Sequence, residues 1–140
     1  SLAIPRTPYP KEPSIYRSKD NAGYVNATFA DWSVTYMPKY GSCKISMGRA
    51  GVPTVYSSSR RKPESVLTLY SITVYRPNGD VVTTLRHGEF SPGPITGLIQ
   101  AAQEAGELGW VELPRQTPVS LWGFADAVKY AEETCGVGLR

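Results

Sequence analysis

Along residues 66–106 the hydrophobic pattern changes its period once, and that change splits the most legible stretch of the chain into a hairpin and a helix. Val66 to Tyr75 is apolar or hydroxylated on both faces, which reads as a central strand covered on at least one side by helix. Pro77-Asn78-Gly79 follows it. Proline fixes φ at the first turn position, and glycine accepts the left-handed position that closes a hairpin. Val81 to Arg86 then returns antiparallel. Beyond it Ile95, Leu98, Ile99, Ala102 and Ala105 fall on one helical face; Ser91 can cap that helix with Pro92 in its first turn, and Gly106 ends it.

The flanking segments carry the same two periods. From Tyr24 to Met37 the pattern is that of a strand, with Ala30, Trp32, Val34 and Tyr36 on one face and Asp31, Ser33 and Thr35 on the other. Pro38 stops it and Lys39-Tyr40-Gly41 supplies a turn. Ser42 to Met47 then alternates Cys43, Ile45 and Met47 against Lys44 and Ser46, the second strand of a meander with a basic outer face. Thr54 to Tyr56 suits a short strand. Trp110, Val111 and Leu113 mark an edge strand or an extended link. Thr117-Pro118 repeats the cap-and-proline start, and Leu121, Phe124, Ala125, Val128, Ala131 and Cys135 line a second helix stopped by Gly136.

These elements predict an α+β fold, an antiparallel sheet of about four to six strands covered by two amphipathic helices. Residues 1–22 are set apart by Pro5, Pro8, Pro10 and Pro13, which block helix and central strand and leave an extended arm. Leu2, Ile4, Tyr9, Ile15 and Tyr16 are its candidate anchors, on the chain's own domain or on partner subunits. Residues 23–140 suit a single domain.

Composition adds a surface to this scaffold. Nine Tyr and three Trp against three Phe give most aromatic rings a polar handle, which suits interfaces. Charge is unevenly placed: up to Arg86 there are twelve Lys or Arg and five Asp or Glu, whereas from His87 onward there are three and seven. The part rich in strands is basic and the helical part acidic, which fits a basic binding face or internal complementarity. Arg60-Arg61-Lys62, following three serines, is the densest cationic point. Glycines near it do not make a phosphate loop, which would end in Lys and Ser or Thr at a helix start.

Catalytic and metal chemistry find little support. His87, Cys43 and Asp126 contain the residue types of a nucleophilic triad but lack a local nucleophile signature. One His, two distant Cys and scattered carboxylates give no ligand pair at zinc spacing, so no metal, cofactor or catalytic residue is expected. Cys43 and Cys135 read as two buried thiols, with a single bridge as the alternative in an exported domain. Asn26-Ala27-Thr28 matches a glycosylation sequon but falls in a predicted strand. No apolar run is long enough to span a bilayer. These features leave the compartment open.

Tyr70 to Gly106 runs strand, Asn-Gly turn, strand, then Gly88-Glu89-Phe90-Ser91-Pro92 into Ile95, Leu98 and Ile99. This order resembles the strand-hairpin-helix half-repeat of the Whirly proteins and the related mitochondrial RNA-binding proteins. Phe29-Ala30-Asp31-Trp32-Ser33-Val34 and Pro53 align with that family's opening strands, so the resemblance covers about half the chain. It implies organellar binding of single-stranded nucleic acid on a basic sheet surface.

A single-strand binder needs cations along a groove and aromatic faces for stacking. Arg60, Arg61, Lys62, Lys44, Arg49, Arg76 and Arg86 with Trp32, Tyr36 and Tyr75 are the candidate residues for single-stranded DNA or RNA; Lys39 and Tyr40 belong to the same aromatic and cationic set. Because interfaces enrich the same residue types, the alternative is a structural or adaptor subunit clamped to partners by its arm.

Overall fold

The computed structural model describes residues 14–19, 23–47, 54–59, 71–86 and 95–136. Its first sheet is an antiparallel meander of five strands in chain order: β1 (Ser14–Arg17), β2 (Val25–Phe29), β3 (Trp32–Met37), β4 (Ser42–Met47) and β5 (Thr54–Ser58). The second has four, in the order β7 (Val81–Arg86), β6 (Ser71–Tyr75), β8 (Trp110–Glu112), β9 (Val119–Ser120). Helix α1 (Thr96–Ala105) packs on β6 and β7, α2 (Phe124–Cys135) packs on β2, β3 and β4, and the helices touch. The α+β class is therefore as the patterning predicts. The strands divide into two sheets, each with its own helix, because the β6–β7 hairpin pairs with β8.

The hairpin at Pro77-Asn78-Gly79 forms as its turn chemistry requires. Gly79 takes φ 93° and donates its N–H to the Arg76 carbonyl at 2.9 Å, while the Asn78 carboxamide oxygen accepts the Asp80 N–H at 2.9 Å. Helix α1 ends at Gly106, as expected. Its first residue is Thr96, preceded by Ile95 with no side-chain cap; Ser91 and Pro92 lie outside the described residues.

Several elements depart from the sequence pattern, each for a local reason. The apparent strand from Tyr24 to Met37 is two strands joined at Ala30-Asp31, so that Phe29 stands opposite Trp32. A two-residue turn inverts the parity of the inward positions, from 25, 27 and 29 to 32, 34 and 36. The continuous alternation of Ala30, Trp32, Val34 and Tyr36 hid it. Ala30 has φ 51°, a left-handed conformation seldom signalled by alanine. Thr117-Pro118 does not open a helix: Val119 and Ser120 form β9, and α2 starts after Gly123, at φ 95°. A Cβ on Gly123 would collide with the Phe29 carbonyl oxygen, so glycine is required there by both conformation and space. Trp110–Glu112 is an inner strand, paired with β6 and β9.

The core lies between the helices and the sheets. Trp32, Val34, Cys43, Ile45, Ile72, Val74, Leu98 and Val128 are buried within it. The two cysteines are not free thiols: Cys43 on β4 is bonded to Cys135 in the last turn of α2, with Cα atoms 6.1 Å apart across 92 positions of sequence. Disulfides persist mainly in oxidising compartments, so the bond bears on where the protein works. Of the Pro-rich arm, Ser14–Arg17 is an exposed edge strand laid on β2; Leu2, Ile4 and Tyr9 lie outside the described residues.

Candidate nucleic-acid interface

Strand parity decides which side chains of the first sheet can meet a ligand. Trp32 packs edge-on against Phe124 of α2 at 4.7 Å between ring centroids, so positions in phase with it face the helix. The other face carries a continuous row across all five strands, fixed by the register: Tyr16 opposite Asn26, Asn26 opposite Thr35, Thr35 opposite Lys44, and Lys44 opposite Ser57. Thr35 accepts a hydrogen bond from the Asn26 Nδ2 at 2.8 Å, and the Asn26 Oδ1 accepts one from the Thr28 hydroxyl at 3.3 Å. Lys44 and Tyr16 are exposed, Tyr16 by 54%.

The end of the sheet beside this row gathers further cations. The pairing brings the end of β1, the start of β2, the β3–β4 turn and the end of β5 together. Lys19, Lys39 and Lys44 are exposed there, Arg17 is exposed on β1 but opposite Val25 and so in the inward phase, and residues 14–19, 35–44 and 57–59 contain no Asp or Glu. The Lys39 Nζ stands 5.7 Å from the centroid of the Tyr40 ring, which is 55% exposed. Tyr16 and Tyr24 lie beside each other, ring centroids 5.8 Å apart. Ser18 and Tyr24 tie this corner together, with the Ser18 N–H donating to the Tyr24 carbonyl and the Tyr24 N–H donating to the Ser18 hydroxyl, both at 2.9 Å.

The residues expected from sequence separate into groups. Trp32 is corrected: it is fully buried and donates its indole Nε1–H to the Ser120 carbonyl at 2.8 Å, leaving no face for a base. Tyr36 is half-buried and shares the inward phase of Trp32. Arg76, Tyr75 and Arg86 belong to the second sheet, away from the row. Arg76 pairs with Glu104 at 2.5 Å, and Tyr75 stacks on Trp110 at 5.4 Å; Arg86 is exposed on β7. Arg49, Arg60, Arg61 and Lys62 lie outside the described residues. Lys44 alone of the expected cations sits on the row. Arg17, Lys19, Tyr24, Asn26 and Thr35 were not singled out as ligand contacts. The Lys39-Tyr40-Gly41 turn was the signal for Thr35, because it fixes the β3–β4 register that sets Thr35 opposite Lys44.

The nucleophilic grouping cannot operate through Cys43, whose sulfur is bonded to Cys135. Among the described residues, no group of three His, Cys, Asp or Glu side chains is placed to hold a metal ion, and no helix is long and apolar enough to cross a membrane. A separate apolar groove of about 220 Å³ lies between the helices, floored by Ile99, Leu121, Phe124 and Val128 with Gln103 and Glu107 on its lining. No cation lines it. Comparison with protein-family models, curated proteins and solved structures returns no match.

Proposed function

We propose that the chain is a non-enzymatic binding module for single-stranded nucleic acid, which it holds on the outer row and cationic end of the five-stranded sheet. The observation that carries this reading is the gathering of Lys19, Lys39 and Lys44 beside exposed Tyr16 and Tyr40, with no carboxylate among residues 14–19, 35–44 and 57–59. Cations attract the phosphates, and Tyr faces offer sequence-tolerant stacking. The resemblance of Tyr70–Gly106 to the Whirly half-repeat points to the same ligand.

Fluorescence anisotropy with a labelled oligothymidylate tests it. Affinity falls as salt rises, and Lys39→Ala and Lys44→Ala each reduce the magnitude of the log–log salt slope by about 0.7. Absence of binding at low salt, or a slope that neither substitution changes, refutes the proposal.

A second reading rests on β1. It is an edge strand that leaves Ile15 46% and Tyr16 54% exposed, and it carries the arm. An adaptor subunit would use this edge to clamp a partner chain. Light scattering on the full chain and on an arm-deleted chain checks self-assembly, which predicts a loss of mass on deletion.

A further inference from the structure

The outer row has a chemical bias beyond its charge. Thr35 already accepts the Asn26 amide N–H, so its own O–H is left to donate outward. The Asn26 carbonyl oxygen accepts from Thr28, and that carboxamide keeps its second N–H to donate beside one remaining oxygen lone pair. Lys44 is a donor only, and Ser57 completes the row with a hydroxyl. Asn26, Thr35, Lys44 and Ser57 therefore present a run of donors on four adjacent strands. With Tyr16 at the β1 end, the row spans about 19 Å at the usual strand spacing.

Donors with no carboxylate among residues 14–19, 35–44 and 57–59 match a ligand that repeats acceptor-only groups. Phosphodiester oxygens are such groups, whereas base edges present mixed donors and acceptors. The row also has just one exposed aromatic ring, Tyr16, at its end. Resting on the nucleic-acid reading, we infer that the row is a phosphate track. The ligand crosses the strands with its backbone on Asn26, Thr35, Lys44 and Ser57, and recognition is independent of base identity, with stacking confined to the flanking rings of Tyr16 and Tyr40.

The test compares three labelled ligands of about sixteen nucleotides, the upper end of single-module site sizes. They are oligothymidylate, an abasic deoxyribose-phosphate oligomer and an uncharged methylphosphonate oligothymidylate. The abasic oligomer is expected to bind within about tenfold of oligothymidylate, and the uncharged one more than about a hundredfold more weakly. Thr35→Val, which keeps the side-chain shape, and Ser57→Ala are each expected to weaken both charged ligands by the same factor, about three- to tenfold, with the salt slope unchanged. An abasic ligand more than tenfold weaker, an uncharged ligand that binds comparably, or silence of both Thr35→Val and Ser57→Ala overturns the track while leaving the nucleic-acid reading standing. If oligothymidylate itself does not bind at low salt, the nucleic-acid reading falls, and the track with it.

Discussion

Removing the Cys43–Cys135 bond is the perturbation whose size follows most directly from the fold. The bond closes a loop of 92 positions, and the loop-entropy relation assigns it about 4 to 5 kcal/mol of stabilisation through the unfolded chain. Domains are typically stable by about 5–15 kcal/mol, so this is about a quarter of the total or more. Alanine at both positions is the cleaner substitution, because Cys43 is fully buried and a serine hydroxyl there would add a desolvation cost. At the usual unfolding entropy per residue, a 140-residue chain should lose about 15 °C in midpoint temperature. Urea unfolding of the oxidised chain and of Cys43→Ala/Cys135→Ala, analysed by linear extrapolation, measures the difference. The double variant should also show the steeper m value, since its unfolded chain is free to expand. Stabilities within about 1 kcal/mol of each other would refute the reasoning. So would two titratable thiols in the unreduced, denatured wild-type chain.

Three further outcomes separate fold from surface. Gly123→Ala should destabilise by about 3 kcal/mol or more, since the methyl group meets the Phe29 carbonyl at a φ that alanine adopts poorly; a thermal melt reads it. Trp32→Phe should cost about 1–3 kcal/mol in urea unfolding by leaving the Ser120 carbonyl without its donor. The folded variant should bind oligonucleotide as the wild type does. Arg76→Ala should change stability by less than about 1 kcal/mol and leave oligonucleotide affinity unchanged, because its ion pair with Glu104 is partly exposed and lies on the second sheet; parallel melts and anisotropy titrations check both.

Which parts of the fold could be read in advance depended on whether the signal was local. Asn78-Gly79 specifies its hairpin through conformations few other residues adopt, and Gly106 and Gly136 end their helices for similar reasons. Ala30-Asp31 makes an equally tight turn from residues with no such preference, so the β2–β3 hairpin passes for one strand. Trp32 shows a further limit. Alternation identifies which residues share a face, but only the docking of α2 decides which face is covered. The bond between Cys43 and Cys135 is likewise a consequence of α2 lying along β4, which no spacing between two cysteines encodes. The candidate site combines both lessons: Lys44 was legible as an outward cation, while its neighbours Thr35 and Asn26 became contacts only through the register.

The disulfide also gives the chain a covalent topology unlike that of a simple thread. Residues 43 to 135 form a ring that contains β5, the whole second sheet and both helices, and β1 to β3 hang from it as a tail. A protease that severs one peptide bond inside the ring opens it without releasing a fragment, and the nicked product stays one molecule until it is reduced. A cut in the tail frees its outer part from every covalent tie, leaving strand pairing and packing against α2 to hold it. The two regions thus differ in what a single cleavage does, and the tail carries Arg17, Lys19, Asn26, Thr35 and Lys39 while Lys44 and Ser57 belong to the ring.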